Sequence, residues 1–395
     1  MRIVLNGWFW GQKGTGSGQY LGHLLTHLPA AVPPHEYILV VPDSISDSEI
    51  AAHPSPITHR APRLERAATP FDRIDANLSK VWFEQVAFPR ACRRLGAELA
   101  HIPHWGSPLQ PTVPTVVTIH DLIPLLLPAY RGGVWVRLYT RLVAAAARRA
   151  AGVITVSQAS QRDIIAHLGL PADRVWITQE AAPAGFRRAQ PDQVEALRRR
   201  LGLPDRFFLY LGGFDVRKNV AGLLLALACL AERMSVAPAL VLAGQLPPRD
   251  TPFTPDPRRM ARELGIASRV HFTGWVEEAD KPALYTAATA FVFPSRYEGF
   301  GLPVLEALAC GTPTITSKVS SLPEVAGQAA IQVAPDNVPE LAAAMARLWQ
   351  DGALQERMRQ EALAQAARFS WSRTAQATVE VYAEVLARAQ AHRVC

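Results

Sequence analysis

The sequence predicts an α/β protein built from two doubly wound, Rossmann-like domains, each a parallel sheet covered by helices. Three observations predict it. The chain has 395 residues, more than one hydrophobic core usually serves. Short apolar runs alternate with helical patterns through both halves. Glycine-rich turns stand just after several of those runs, where such sheets bind ligands.

In the first half the strand-forming runs are Arg2–Leu5, Tyr37–Val41, Glu98–His101, Thr115–Ile119, Val153–Thr155 and Val175–Thr178. Helical patterns lie near Ser17–Leu28, Lys80–Leu95 and Val136–Ala150. Residues from Ser44 to Phe71, rich in Pro, Ser and His, read as an irregular excursion. In the second half the strands are Phe207–Leu211, Ala239–Ala243, Val270–Phe272, Ala290–Phe293, Thr314–Thr316 and Ala330–Val333. Helices follow most of them, including Pro339–Trp349 and Ala353–Arg368. The join lies between Pro183 and Pro204, where Ala181-Ala-Pro-Ala-Gly-Phe186 and a charged helix interrupt the strand pattern. This sets the domains at 1–190 and 191–371.

Hydrophobic residues make up 49% of the chain, yet no uninterrupted apolar run approaches the roughly 20 residues that span a bilayer. The start, Met1-Arg-Ile-Val-Leu-Asn-Gly7, meets glycine too soon for a signal peptide and reads as a buried strand. Four cysteines, Cys92, Cys229, Cys310 and Cys395, have neither metal-ligand nor disulfide-framework spacing. A cytoplasmic location fits, free or peripheral at the inner membrane face. The formal net charge is +7, with arginine clusters at Arg90–Arg94, Arg148-Arg149, Arg187-Arg188 and Arg198–Arg200. These read as wet helix faces or as a patch that docks on an anionic membrane surface. Nucleic acid ranks last because no nucleic-acid-binding motif accompanies the charge.

The most informative segment runs from Phe293 through Glu298-Gly-Phe-Gly-Leu-Pro303 and Glu306 to Gly311. Pro294 ends the strand because it donates no ladder bond. Gly299 and Gly301, on either side of Phe300, let backbone approach a ligand. A helix begins near Leu302, with Pro303 in its first turn and Gly311 closing it. Its N–H groups and positive dipole end favour an anion such as a diphosphate. Glu306 runs beside that helix start, within reach of a ribose diol, and Glu298 precedes it, within reach of sugar hydroxyls. A glycosidase acid/base pair is the other reading of two such carboxylates.

Where strand Phe207–Leu211 ends, Gly212-Gly213 leads to Arg217-Lys218-Asn219. Two fixed cations there suit a pyrophosphate leaving group, whose charge grows as a glycosidic bond breaks. Arg grips phosphate oxygens in pairs and Lys acts as a point charge. Strand Thr115–Ile119 ends in His120-Asp121, an imidazole placed to bond a hydroxyl or to be pinned structurally. Gly14-Thr-Gly16-Ser-Gly18 forms a turn before the first helix, open to a phosphate or an acceptor. Its spacing departs from the dinucleotide fingerprint.

As an ordered set these motifs, with Ser157-Gln-Ala-Ser160, Phe272-Thr-Gly274-Trp-Val276 and Ala309-Cys-Gly-Thr-Pro313, resemble the retaining nucleotide-sugar glycosyltransferases of GT-B fold, glycosyltransferase family four. That family includes sucrose synthases and bacterial mannosyltransferases. The resemblance implies an acceptor-binding first domain facing a donor-binding second domain across a cleft, with 372–395 crossing back to the first. It implies that Arg217, Lys218, His120 and Glu298 act on the transferred sugar and its diphosphate. Gly16, Gly18, Gly213, Gly299, Phe300, Gly301, Leu302 and Glu306 then hold the donor, while Trp275 and Val276 meet its base. A front-side mechanism follows, in which the leaving phosphate takes the acceptor proton; Glu298 as nucleophile is the alternative.

No Asp-x-Asp pair sits at a strand end, so no metal and no separate cofactor are expected. His120-Asp-Leu-Ile-Pro124 and Ser320-Ser-Leu-Pro-Glu324 look most like mannosyltransferase members, which suggests GDP-mannose ahead of a UDP-sugar as donor. The acceptor is then a small sugar, a glycan or a lipid-linked glycan. Two other classes remain: a nicotinamide-dependent oxidoreductase with paired Rossmann domains, and a non-enzymatic basic protein for nucleic acid or membrane.

Overall fold

A computed structural model describes residues 1–12, 14–46, 63–234 and 238–394. The chain forms two compact units, one made of Met1–Glu180 with Ser370–Cys395, the other of Ala181–Phe369.

The first unit contains β1 (Arg2–Asn6), α1 (Gly16–His27), β2 (Glu36–Pro42), β3 (Arg63–Ala67), α2 (Ala76–Trp82), α3 (Phe88–Arg94) and β4 (Leu99–Ile102). It continues through β5 (Thr115–Thr118), α4 (Val134–Ala147), β6 (Gly152–Thr155), α5 (Gln158–Leu168) and β7 (Val175–Ile177). All strand pairs are parallel, in the order β3-β2-β1-β4-β5-β6-β7. Every residue of β4, β5 and β6 is buried, as a sheet covered on both faces requires.

The second unit contains α6 (Pro191–Leu201), β8 (Phe207–Leu211), α7 (Val220–Arg233), β9 (Ala239–Ala243), α8 (Pro257–Glu263), β10 (Val270–Gly274) and α9 (Lys281–Ala287). Then come β11 (Ala290–Phe293), α10 (Leu302–Ala309), β12 (Thr314–Ser317), α11 (Leu322–Ala326), β13 (Ala330–Val333), α12 (Val338–Gln350) and α13 (Gly352–Ala366). Its parallel sheet has the order β10-β9-β8-β11-β12-β13. In each sheet the winding reverses direction once, between β1 and β4 and between β8 and β11. Such reversals leave crevices at the strands' carboxyl ends.

The last helix, α14 (Trp371–Val394), returns to the first unit. Its Tyr382 hydroxyl bonds His101 Nδ1 in β4 at 2.7 Å, and Trp371 stacks on His23 of α1. No described helix is long and apolar enough to cross a membrane.

Two expectations need correction. The stretch read as an irregular excursion contains β3, a strand paired with β2 at the sheet edge. Its sequence, Arg-Leu-Glu-Arg-Ala, stays partly exposed throughout. Charge of this kind protects an edge from further pairing and hides the strand from an apolar pattern. Residues 47–62 of that excursion lie outside the described residues. The join falls at Glu180/Ala181, ahead of the expected 190/191 boundary. The intervening residues pack on the second unit: Phe186 lies against the Tyr285 ring, and the Ala189 amide donates to Thr286 Oγ1.

Candidate active site

The second unit's reversal point gathers charge. Leaving β8, the chain passes Gly212-Gly213 and makes one tight turn at Val216–Lys218 before α7. Asn219 takes the left-handed conformation there, and its Nδ2 donates to the Pro335 carbonyl at 2.6 Å. Leaving β11 on the neighbouring strand, the chain runs through Ser295 to Glu298. The two loops are joined by a bond from the Arg296 amide to the Arg217 carbonyl at 2.8 Å.

Three donors converge on Glu298 Oε1: Arg217 Nη1, Lys218 Nζ and Ser295 Oγ, each at 2.7 Å. Arg217 Nη1 also donates to the Tyr297 carbonyl, and Lys218 Nζ sits 4.9 Å from the Phe293 ring centre. Burial opposes charge on Glu298. The Lys218 and Arg217 cations and the bonds from Lys218 and Ser295 outweigh it, holding the carboxyl below the ordinary carboxylate range. Asp215 Oδ1 also lies 3.8 Å from Arg217 Nε, so two carboxylates face the two cations. An Arg and a Lys held side by side are the donor types that grip the oxygens of a diphosphate.

The loop after Glu298 is held by two serines. The Glu298 amide donates to Ser320 Oγ at 2.9 Å, and Ser321 Oγ donates to the carbonyls of Glu298 and Phe300 at 2.9 and 2.6 Å. Gly301 has φ 114°, and a Cβ there would lie 2.8 Å from Leu322 Cδ2. Only glycine meets both conditions easily. Helix α10 then begins at Leu302, and Gly311 follows it with φ 66°. On the second turn Glu306 is buried and accepts from the Tyr285 hydroxyl at 2.9 Å. Burial pushes its carboxyl up to about 7; the Glu278 charge adds to the rise, while Lys281 and the Tyr285 bond oppose it. Trp275 stands exposed just beyond β10, and Val276 beside it is buried.

In the first unit, His120 follows β5 with its ring edge-on to Tyr20. Its Nδ1 lies 3.1 Å from Glu180 Oε1, and its Nε2 faces the Pro103 carbonyl at 3.4 Å. Burial lowers the imidazole's affinity for a proton. The Glu180 bond and charge, with Asp121, overcome that and raise His120 above its ordinary value. Ser157 caps α5, and Ser160 Oγ donates to the His120 carbonyl at 2.9 Å.

Gly16 and Gly18 belong to the first turn of α1, where Thr15 Oγ1 accepts from the Gly18 amide. A Cβ at Gly18 would lie 2.2 Å from the Gln12 carbonyl oxygen. The smallness of Gly18 therefore serves the chain's own backbone. Gly16 has nothing within 4 Å of its Cβ position.

Within the second unit, then, Arg217, Lys218 and Glu298 meet directly, with Gly213 on the same β8 loop and Gly299 to Leu302 leading into the helix that carries Glu306. His120, Gly16 and Gly18 lie in the first unit. Sequence reasoning did not single out Glu180, Ser295 or Tyr285, or the holding role of Ser320 and Ser321. Glu180 had a signal, an acidic residue just past the end of β7. Tyr285 had none, because its bond to Glu306 depends on α9 packing beside α10.

The two Rossmann-like units, each with a parallel sheet reversed once, define the GT-B class of fold. HepE from Anabaena, solved with UDP-glucose, shares it: TM-score 0.73, 19% identity, with 97% of this chain and 100% of that one covered. Residues 193–365 match the model for glycosyl transferases group 1, and residues 14–179 match that for glycosyltransferase family 4. O-antigen chain mannosyltransferase B of Escherichia coli is 34% identical over 268 residues, which are 68% of this chain and 69% of that protein. The chain belongs to this glycosyltransferase family. Serotype-specific mannosyltransferase WbdA of Escherichia coli is 33% identical over 280 residues, 70% of this chain. The chain spans about a third of the length of WbdA, with 34% of that protein covered.

Proposed function

We propose that the protein moves a hexose, mannose, from a nucleoside-diphosphate donor to a sugar, glycan or lipid-linked acceptor with its anomeric configuration retained. One observation carries the reading: Arg217 and Lys218 converge on buried Glu298 at the reversal point of the second sheet. The similarity to mannosyltransferases at 33–34% identity supports mannose, and with it GDP-mannose. Family membership sets aside the glycosidase and oxidoreductase readings of the sequence.

In this mechanism the bond between the sugar's anomeric carbon and the diphosphate oxygen breaks, and its electron pair leaves with the diphosphate. Arg217 and Lys218 take up that charge, which is greater in the transition state than in the bound donor. The acceptor hydroxyl bonds to the same carbon from the same face and gives its proton to the departing phosphate oxygen. Glu298 Oε1 is occupied by its three donors, so we assign Oε2 to the sugar hydroxyls. Glu306 holds the ribose, the backbone near Gly301 and Leu302 adds to the diphosphate site, and His120 meets a sugar hydroxyl. No metal takes part in this scheme.

The test is a panel of GDP- and UDP-sugars scored for nucleotide release with a glycan acceptor, with and without EDTA. Mannose transfer from GDP-mannose that survives EDTA supports the reading. Lys218→Ala is expected to lower kcat by about 10²–10³-fold, and Glu306→Ala to raise the donor KM. Full activity in either variant would overturn the site assignment.

A further inference from the structure

We infer that the outer face of α4 is a docking surface for an anionic lipid bilayer. The helix has two apolar faces. Thr140, Val143, Ala144 and Ala147 are buried against the first unit at the spacing of a packed helical stripe. On the opposite side Val134 and Leu138, four residues apart, project outward, and Trp135 stands beside them. Trp135 is 83% exposed and Val134 61%. Large apolar side chains grouped in this way mark an interaction surface.

Charge identifies the occupant. Arg137 and Arg141 flank the outward stripe, and both are exposed. The stretch from Arg131 to Arg149 holds five arginines and no aspartate or glutamate. An apolar stripe with tryptophan beside an all-basic flank suits the boundary between acyl chains and anionic headgroups. Long arginine side chains reach phosphates while their stems lie along the apolar surface. A second copy of this chain fits less well, because a two-fold contact through this face would bring the arginines of both copies together. The docking needs neither donor nor acceptor, so it stands or falls apart from the assigned reaction.

The test is co-sedimentation with vesicles of phosphatidylglycerol and phosphatidylcholine in equal parts, against vesicles of phosphatidylcholine alone. Circular dichroism checks the fold of each variant. The protein should sediment with the anionic vesicles only. Arg137→Glu with Arg141→Glu should weaken binding more than about 25-fold, from roughly fivefold for each arginine charge removed. Trp135→Ala with Leu138→Ser should weaken it more than about tenfold while leaving the circular dichroism unchanged. Failure of the wild type to bind anionic vesicles would overturn the proposal, as would unchanged binding in both variants. So would sedimentation without vesicles that reveals a dimer which Trp135→Ala with Leu138→Ser dissociates, since this face would then join two copies.

Discussion

The Lys218 ammonium lies 2.7 Å from Glu298 Oε1, although the two residues stand 80 positions apart in the chain. The contact exists because β8 and β11 are parallel neighbours, with Phe208 beside Ala290. It places an internal anion on the two cations to which we assign the donor diphosphate.

Glu298→Gln should therefore separate binding of product from transfer of sugar. Glutamine keeps the shape and removes the competing charge, so Arg217 and Lys218 turn to the nucleotide. Titration calorimetry should show GDP or UDP bound about tenfold more tightly, with sugar transfer slowed. Weaker nucleotide binding would mean that Glu298 orders the cations more than it competes for them.

Glu306 titrates at about 7 in the folded protein against an ordinary value of 4.5. A carboxyl raised in this way contributes stability that is fully present below about 4.5 and is lost as pH rises through about 7. The swing is about 3 kcal/mol. Melting temperatures of wild type and Glu306→Gln, compared from pH 4.5 to 8, should diverge across that window. The donor KM should also rise as pH falls below 7, when the protonated carboxyl can no longer accept two ribose hydroxyls.

His120 is raised above its ordinary value by the Glu180 bond and charge, against the effect of burial. Its contribution to stability is therefore present below the unfolded value of about 6.5 and fades as pH rises through the folded one. Glu180→Gln should lower the imidazole pKa, as followed by proton NMR. An unchanged titration would show that Asp121 or the Pro103 carbonyl sets the value instead.

Gly301→Ala combines left-handed strain with a contact of 2.8 Å to Leu322. A loss of about 1–3 kcal/mol is expected, read as a lower denaturation midpoint. Leu322→Ala in the same background should recover only the steric share, because the strain at φ 114° remains.

Most of the strands were legible because a parallel sheet covered on both faces needs nearly continuous apolar runs. Phe207–Leu211 and Ala290–Phe293 are such runs, and both are strands with the bounds the pattern predicts. Arg63–Ala67 was not legible, since an edge strand exposed along its length has no need of that pattern. The start of α10 could be read from Gly301 and Pro303, because its geometry is local. The serine bonds that hold the loop before it could not, since Ser320 and Ser321 arrive from beyond β12.

The sequence by itself determined the residue types at the candidate site, the turns that present them and the order of elements that makes two parallel sheets. Each is a local property, decided by periodicity, glycine and proline. Only the tertiary structure decided that Glu298 sits on Arg217 and Lys218, that Tyr285 bonds Glu306, and that Glu180 lies against His120 and raises its pKa. Those pairings arise where distant segments are brought together by strand and helix packing. At Glu298 and His120 the partners outweigh burial, whereas at Glu306 burial itself raises the pKa against the Tyr285 bond.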